Sequence, residues 1–485
     1  MNNQKQLIKA TLVFSILSIL QPASNFLLLP VYTKYLSVQQ YGYFSILNNV
    51  SYFFTIISGL NIVTAIVAFY KSYKEHNSLR KFVGDVITFC IYFNILLLIV
   101  LALFGDRFSG LLFKEKILYF PDVFYAVSFG LISNIILAHF NFLKYERKLK
   151  EFAVLTILQF IAFISLQYLF IVIFKDNIRG ALQARLLAVS IIMVIVLFLN
   201  RRYVFRVIDY KKNILPQLKY SIVTGPAVLI GWLSAYADRF IIEHRSSNTE
   251  MLGQYSFLAT ICAVAELGVY AYNSAVQPFV FDSYVNKENN AVSNYYKLFT
   301  AAVIFTVSSL ILAGSNLHFF VHNQAYKDIL QMVPLMSVGY VFFGVSSIYS
   351  LQTTYARKSW YYLFTYMGAL LINIILNLLL INRFGITGII TASFFTKVFL
   401  ACLMIFFAQR SHRTYGLKNI LLMACAFTAV VLVCWFLSFS NFISLQLGVV
   451  IQFLLSIVII LLSIKPKLVK DFLLRRNKTN PANDI

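Results

Sequence analysis

Acid is scarce in this chain. Eighteen Asp and Glu stand against 41 Lys and Arg in 485 residues, and charged residues of both signs reach only 12%. A soluble domain carries roughly twice that share of charge, so no soluble domain is expected. Long polar connections are missing too: none between the apolar runs exceeds about 20 residues. That leaves no room for the extramembrane loops in which a membrane glycosyltransferase or oligosaccharide polymerase holds its acid/base groups. No DxD pair, G-x-S-x-G or GxxxxGK[ST] occurs in the connections, so catalytic residues are not expected. The five cysteines, Cys90, Cys262, Cys402, Cys425 and Cys434, all lie in apolar stretches and read as small buried hydrophobes. Six histidines form no HExxH. His318 and His322 share a helical face but sit at a span end, and no metal site is expected there.

What is present is hydrocarbon. The chain is 60% hydrophobic with a mean hydropathy of +0.76, and apolar stretches of about 20 residues recur along it, each long enough to cross a bilayer as a helix. Barrel strands would be about 10 residues long and alternating. The fold class is therefore an all-α polytopic membrane protein of about 14 transmembrane helices. The spans read 9–30, 42–70, 83–104, 120–143, 152–174, 181–200 and 220–242 in the first part of the chain. Those of the second part read 254–281, 298–320, 329–352, 361–381, 385–408, 419–439 and 442–464. The N-terminus has the basic start and apolar middle of a signal peptide without a small-residue cleavage site, and is expected to stay as the first span.

The net charge of +23 follows topology. Alternate connections hold the basic residues: 29 Lys and Arg fall on the side shared by both termini, 9 on the other and 3 within spans. The positive-inside rule then puts both termini in the cytoplasm, where the excess attracts anionic membrane lipids. Nucleic acid is not needed to explain it.

An internal duplication organises the spans. Tyr145-Glu146-Arg147-Lys148 recurs as Tyr355-Ala356-Arg357-Lys358, and Tyr41-Gly42-Tyr43-Phe44-Ser45 is echoed by Leu252-Gly253-Gln254-Tyr255-Ser256. Asn200-Arg201 returns as Gln409-Arg410, so three matches share an offset of 209 to 211. That spacing describes a repeat of six helices. Six is even, so both copies enter from one side and form a parallel pseudo-repeat. The expected domains are a six-helix bundle over 1–210, a second over 211–408, and two C-terminal helices with a basic cytoplasmic tail over 409–485. Two bundles of this kind would enclose a central cavity and permit alternating access.

Few charges lie deep in the apolar stretches: Arg185, Asp238, Arg239, Glu266 and Lys397. A mid-membrane charge costs on the order of 3 kcal/mol. Lys397 lies 12 residues past Gly385 and 13 before Arg410, roughly 18 and 20 Å from the two edges at ~1.5 Å per residue. A lysine stem of about 6 Å cannot snorkel that far. Lys397 must therefore face protein or water. Glu266 lies at nearly the same depth in the same half, as a structural ion pair or as a switching partner. Arg185 is only about 6 Å deep and could reach the headgroups. Asp238 and Arg239 lie near the same edge.

Two stretches carry a family resemblance. Leu29-Pro30-Val31-Tyr32-Thr33-Lys34-Tyr35-Leu36-Ser37 with Tyr41-Gly42-Tyr43 resembles the first periplasmic hairpin of polysaccharide-exporting flippases. Asn377-Leu378-Leu379-Leu380-Ile381-Asn382-Arg383-Phe384-Gly385-Ile386-Thr387-Gly388 resembles the approach to their twelfth helix. With the span count and repeat, the likeness covers nearly the whole chain. It is to the O-antigen (Wzx-type) lipid-linked oligosaccharide flippases of the multidrug, oligosaccharidyl-lipid and polysaccharide exporter superfamily.

The resemblance implies a transporter that moves an undecaprenyl-pyrophosphate-linked repeat unit from the cytoplasmic to the periplasmic leaflet of a bacterial inner membrane. It further implies coupling to an H+ or Na+ gradient without a bound cofactor, and a pathway with polymerase and chain-length proteins as partners. On that reading Lys397, Arg185 and Arg239 form a cationic substrate site, and Glu266 and Asp238 serve ion coupling or gating. Asn25, Asn273, Gln277, Asn373 and Asn377 line a polar path, or else bond helix to helix. A multidrug cation antiporter of the same superfamily is the alternative, and a polymerase a more distant one.

Overall fold

The computed structural model describes residues 17, 20, 21, 23–76, 78–114, 118–246, 248, 250–319, 321, 323–356, 358–411 and 416–463. These are helical almost throughout and contain no strand. The helices are α1 (Leu29–Tyr35), α2 (Val38–Ile57), α3 (Val63–Glu75), α4 (Leu79–Leu112) and α5 (Phe124–Tyr145). They continue as α6 (Leu149–Tyr168), α7 (Asn177–Asn200), α8 (Leu215–Arg245), α9 (Met251–Val285) and α10 (Asn289–Ser315). The last are α11 (Gln324–Ile329), α12 (Val333–Tyr355), α13 (Ser359–Ser411), α14 (Leu417–Phe439) and α15 (Leu445–Ser463).

Among the described residues, ten helical stretches are long and apolar enough to cross a membrane, or twelve if each of two bent pairs is one span. The fourteen expected from sequence are not reached by that count. Half of the first expected span, 9–30, lies outside the described residues, and α13 enters the count once. Yet α13 has 53 residues, about 80 Å of helix against roughly 30 Å of hydrocarbon. It breaks at Gly385, whose φ of 56° and ψ of −132° belong to a region essentially reserved for glycine. The two limbs then run back along one another, as the hydrogen bond between Asn373 and Thr396 requires.

The bends have local causes. In α2 the start is fixed by a capping box, Gln40 N donating to Ser37 Oγ at 3.1 Å and Ser37 N to Gln40 Oε1 at 3.0 Å, which satisfies two otherwise orphan donors. The same stretch ends at Gly59, Leu60 and Asn61, all left-handed, and the axis turns by 53° into α3. A Cβ on Gly59 would lie 2.5 Å from Cys90 Sγ, so the turn needs glycine twice over. The second bent pair, Tyr210–Ile222 with Thr224–Arg245, turns by 48°. Pro226 of α8 cannot donate to the carbonyl four residues back, which places the kink there.

By packing, one unit ends at Gly253 and the other begins at Gln254. In the first, α5 is the hub, touching α2, α4 and α7, and α8 lies against α2. In the second, α12 packs on α10, α13 and α14. The stretch containing α12 is 94% buried, whereas the spans built on α6 and α15 are 22% buried. Apolar side chains on the latter face outward, as bilayer contact demands.

The connection after α7 is fastened to its own unit. Phe205 N donates to Thr88 Oγ1 at 3.1 Å, Asn213 Nδ2 to the buried Asp85 Oδ2 at 2.7 Å, and Tyr73 Oη to the Lys212 carbonyl at 2.9 Å.

Candidate functional site

In the second unit one face of α9 gathers the chemistry. Cys262, Glu266, Tyr270, Asn273 and Gln277 follow each other at intervals of four, four, three and four, so all five point within about 80° of one another. Glu266 is half-buried, and its Oε1 accepts from Tyr270 Oη at 3.0 Å. Asn273 donates to the Ser347 carbonyl at 3.0 Å and also to its hydroxyl. That residue ties α9 to α12 and acts as a helix–helix bond. Gln277 is half-buried.

Lys397 stands on the second limb of α13. Its Nζ donates to Ser393 Oγ at 2.7 Å and lies 4.7 Å from the centre of the Tyr340 ring. A hydroxyl oxygen and a ring face both lower the cost of an ammonium without neutralising it. The lysine stem passes Gly339, where a Cβ would meet its Cδ at 3.1 Å. Cys262 Sγ lies 3.2 Å from Ser337 Oγ, one turn before Tyr340 on α12, and Cys262 is one turn from Glu266. The two mid-span charges singled out by sequence thus belong to one neighbourhood.

Asn373 and Asn377 are buried in a ladder. Asn377 Nδ2 donates to Asn373 Oδ1 at 3.1 Å, and Asn373 Nδ2 to Thr396 Oγ1 at 3.3 Å. Asn373 joins the limbs of α13 beside Lys397, the residue after Thr396.

The first unit treats its cation differently. Arg185, on α7, is only 3% exposed. Its guanidinium carbon lies 4.4 Å from the Phe129 ring centre, 5.5 Å from Phe44 and 5.7 Å from Phe163. Nε and Nη1 have no hydrogen-bond partner among the described residues. The snorkelling path suggested by its depth is not taken, because stacking on three rings replaces the headgroups. Close by, Tyr32 Oη donates to Gln167 Oε1 at 3.2 Å, and Gln167 Nε2 to the Ala181 carbonyl. Asp238 is buried and Arg239 half-buried, its guanidinium 5.4 Å from the Tyr236 ring. Asn25 is half-buried. Among the described residues no group of three His, Cys, Asp or Glu could hold a metal ion, and His322 lies outside them.

Sequence reading missed the tyrosines. Tyr340 beneath Lys397, Tyr270 on Glu266, and Tyr362 with Tyr366 were hidden among 30 tyrosines. The available signal was spacing: Tyr270 follows Glu266 by four, and Tyr362 and Tyr366 are four apart.

Charges held at mid-span by hydroxyls and rings suit a site that moves polar cargo, and comparison with known proteins bears on the class. The family model for polysaccharide biosynthesis proteins matches residues 7–284, more than half of the chain. The chain belongs to that family. The family and its fold are those of membrane transporters and flippases. The inward closed conformation of the lipid II flippase MurJ matches with a TM-score of 0.66 and 17% identity, covering 93% of this chain and 98% of that one. The MATE multidrug transporter DinF-BH gives 0.63 and 14% over 85% and 96%. A mutant of the Vibrio cholerae MATE transporter VcmN gives 0.58 and 14% over 84% and 97%. At such identities the likeness is one of fold alone. No curated protein sequence matches the chain.

Proposed function

We propose that the protein flips an undecaprenyl-pyrophosphate-linked oligosaccharide from the cytoplasmic to the periplasmic leaflet of a bacterial inner membrane. Movement is by alternating access and is coupled to an H+ or Na+ gradient. The observation that carries this reading is Lys397: a partly exposed ammonium deep in a span, held by a hydroxyl and a ring, in a chain of the polysaccharide biosynthesis family. Pyrophosphate offers acceptor oxygens and negative charge, and a lysine in a site of lowered dielectric attracts it strongly. Arg239 is the secondary cation, and Arg185, enclosed by three rings, joins it only where that enclosure opens. Glu266 and Asp238 couple or gate. With both termini cytoplasmic, reporter fusions after residues 75, 147, 206, 357 and 470 read cytoplasm, and those after 110 and 246 read periplasm. A periplasmic signal at 206 overturns the six-plus-six arrangement.

The test of function is surface polysaccharide in a strain lacking its own flippase, measured with the wild-type chain and with Lys397→Ala. Restoration by wild type and its loss in the variant, at equal protein level, supports the reading. No restoration across several polysaccharide backgrounds sinks it. The second reading, a cation antiporter, draws on Glu266 set among aromatic rings, surroundings suited to an organic cation. It requires dye efflux that Glu266→Gln abolishes and Lys397→Ala spares.

A further inference from the structure

Beside the lysine lies a second kind of surface, built from phenols. Tyr362 and Tyr366 stand one turn apart on the first limb of α13, their ring centres 4.4 Å apart and tilted by 33°. Both lie within electrostatic reach of the Glu266 carboxylate, which already accepts from Tyr270. Tyr270 is 51% exposed and Tyr362 40%. A carboxylate at this depth is not turned to acyl chains, so the exposed rings next to it meet water and whatever water admits.

Rings connect this surface to the lysine. Lys397 Nζ lies over Tyr340, Tyr340 meets Phe343 edge-on at 6.2 Å, and Phe343 meets Tyr270 edge-on at 5.9 Å. Charge then sorts a bound headgroup. Phosphate is drawn to Lys397 and repelled from Glu266, so the group next to the phosphate is the one that reaches the tyrosines. That group must be uncharged or cationic, rich in hydroxyls, and flat enough on one side to lie on a ring.

We propose that Glu266, Tyr270, Tyr362 and Tyr366 form a glycan subsite that holds the first sugar rings of the lipid-linked substrate while Lys397 holds the phosphates. The proposal rests on the flippase reading and divides its site in two. A pyranose has an apolar C–H face, which packs on the tyrosine rings, and a hydroxyl edge. Glu266 accepts from that edge and the phenols both accept and donate. The subsite therefore recognises sugar as a class and gains nothing from a bare prenyl pyrophosphate.

The experiment compares two probes on purified protein in lipid nanodiscs. One is undecaprenyl pyrophosphate, and the other is the glycan-bearing lipid extracted from cells deleted for this protein. Wild type is expected to bind the glycan-bearing lipid about tenfold more tightly. Tyr362→Ala with Tyr366→Ala is expected to erase that difference and leave the affinity for undecaprenyl pyrophosphate within about twofold. Lys397→Ala weakens both. Should the double alanine variant fail to fold, Tyr362→Phe with Tyr366→Phe keeps the rings and is expected to lose about half of the logarithmic difference. The proposal is overturned if wild type does not prefer the glycan-bearing lipid, or if a folded tyrosine variant loses both probes equally. Binding of neither probe by wild type overturns the flippase reading itself.

Discussion

Arg185 and Lys397 both sit inside spans of this protein and are kept in opposite ways. Arg185 is enclosed by Phe44, Phe129 and Phe163, and Lys397 is held by Ser393 and Tyr340 and keeps part of its surface open. The residue types explain the difference. A guanidinium is planar, delocalised and weakly hydrated, so ring faces can stand in for much of its water. An ammonium is a compact charge that needs an oxygen acceptor, and aromatic rings alone would leave it badly solvated. The lesson is that position inside a span does not assign a role. One cation is enclosed by rings, and the other is held by a hydroxyl and a single ring with part of its surface open.

That contrast can be broken from either end. The largest effect is expected at Lys397, where Lys397→Ala should lower export of lipid-linked glycan by roughly 10- to 100-fold, the worth of one charge-assisted contact. Lys397→Arg should retain part of it, since charge survives while geometry changes. Wild-type export by the alanine variant would put Lys397 on a level with packing residues. Next comes Arg185. Arg185→Met keeps length and apolar contact and should leave the melting temperature of the purified protein nearly unchanged, whereas Arg185→Lys should lower it by more. If export by the methionine variant falls as far as in Lys397→Ala, the enclosure is temporary and both cations meet substrate.

How much of this was legible in the sequence depends on the range of the interaction. Helices were, because apolar runs report on bilayer crossing residue by residue. The break at Gly385 lies at the first residue of the expected span 385–408, where the backbone is one that glycine tolerates. Lys397 and Glu266 stood out because a charge in an apolar run costs energy. The role of Asn373 was not legible: lining residue and helix-to-helix bond look alike until the limbs of α13 set the register with Thr396. Tyrosine is apolar enough to be ordinary in a span, so Tyr270, Tyr340, Tyr362 and Tyr366 carried no signal of cost.

Smaller effects sharpen the comparison by separating the lysine from its support. Gly385→Ala forces an alanine into a glycine backbone and should destabilise by about 1–3 kcal/mol, read as a lower melting temperature. Asn373→Leu removes one interhelical bond worth about 0.6 kcal/mol. It should cost export less than about threefold, checked in the same surface-polysaccharide assay. A loss as deep as that of Lys397→Ala would move Asn373 from support to substrate.

The fastened stretch after α7 has a mechanical meaning. A connection between two helices is normally slack. Here Thr88, Asp85 and Tyr73 grip it at Phe205, Asn213 and Lys212, so residues 201–214 act as a splint. A pull on the start of α8 is delivered straight to α4 and α3, with no play to take up first. Lengthening this stretch would therefore add no reach unless those grips were cut.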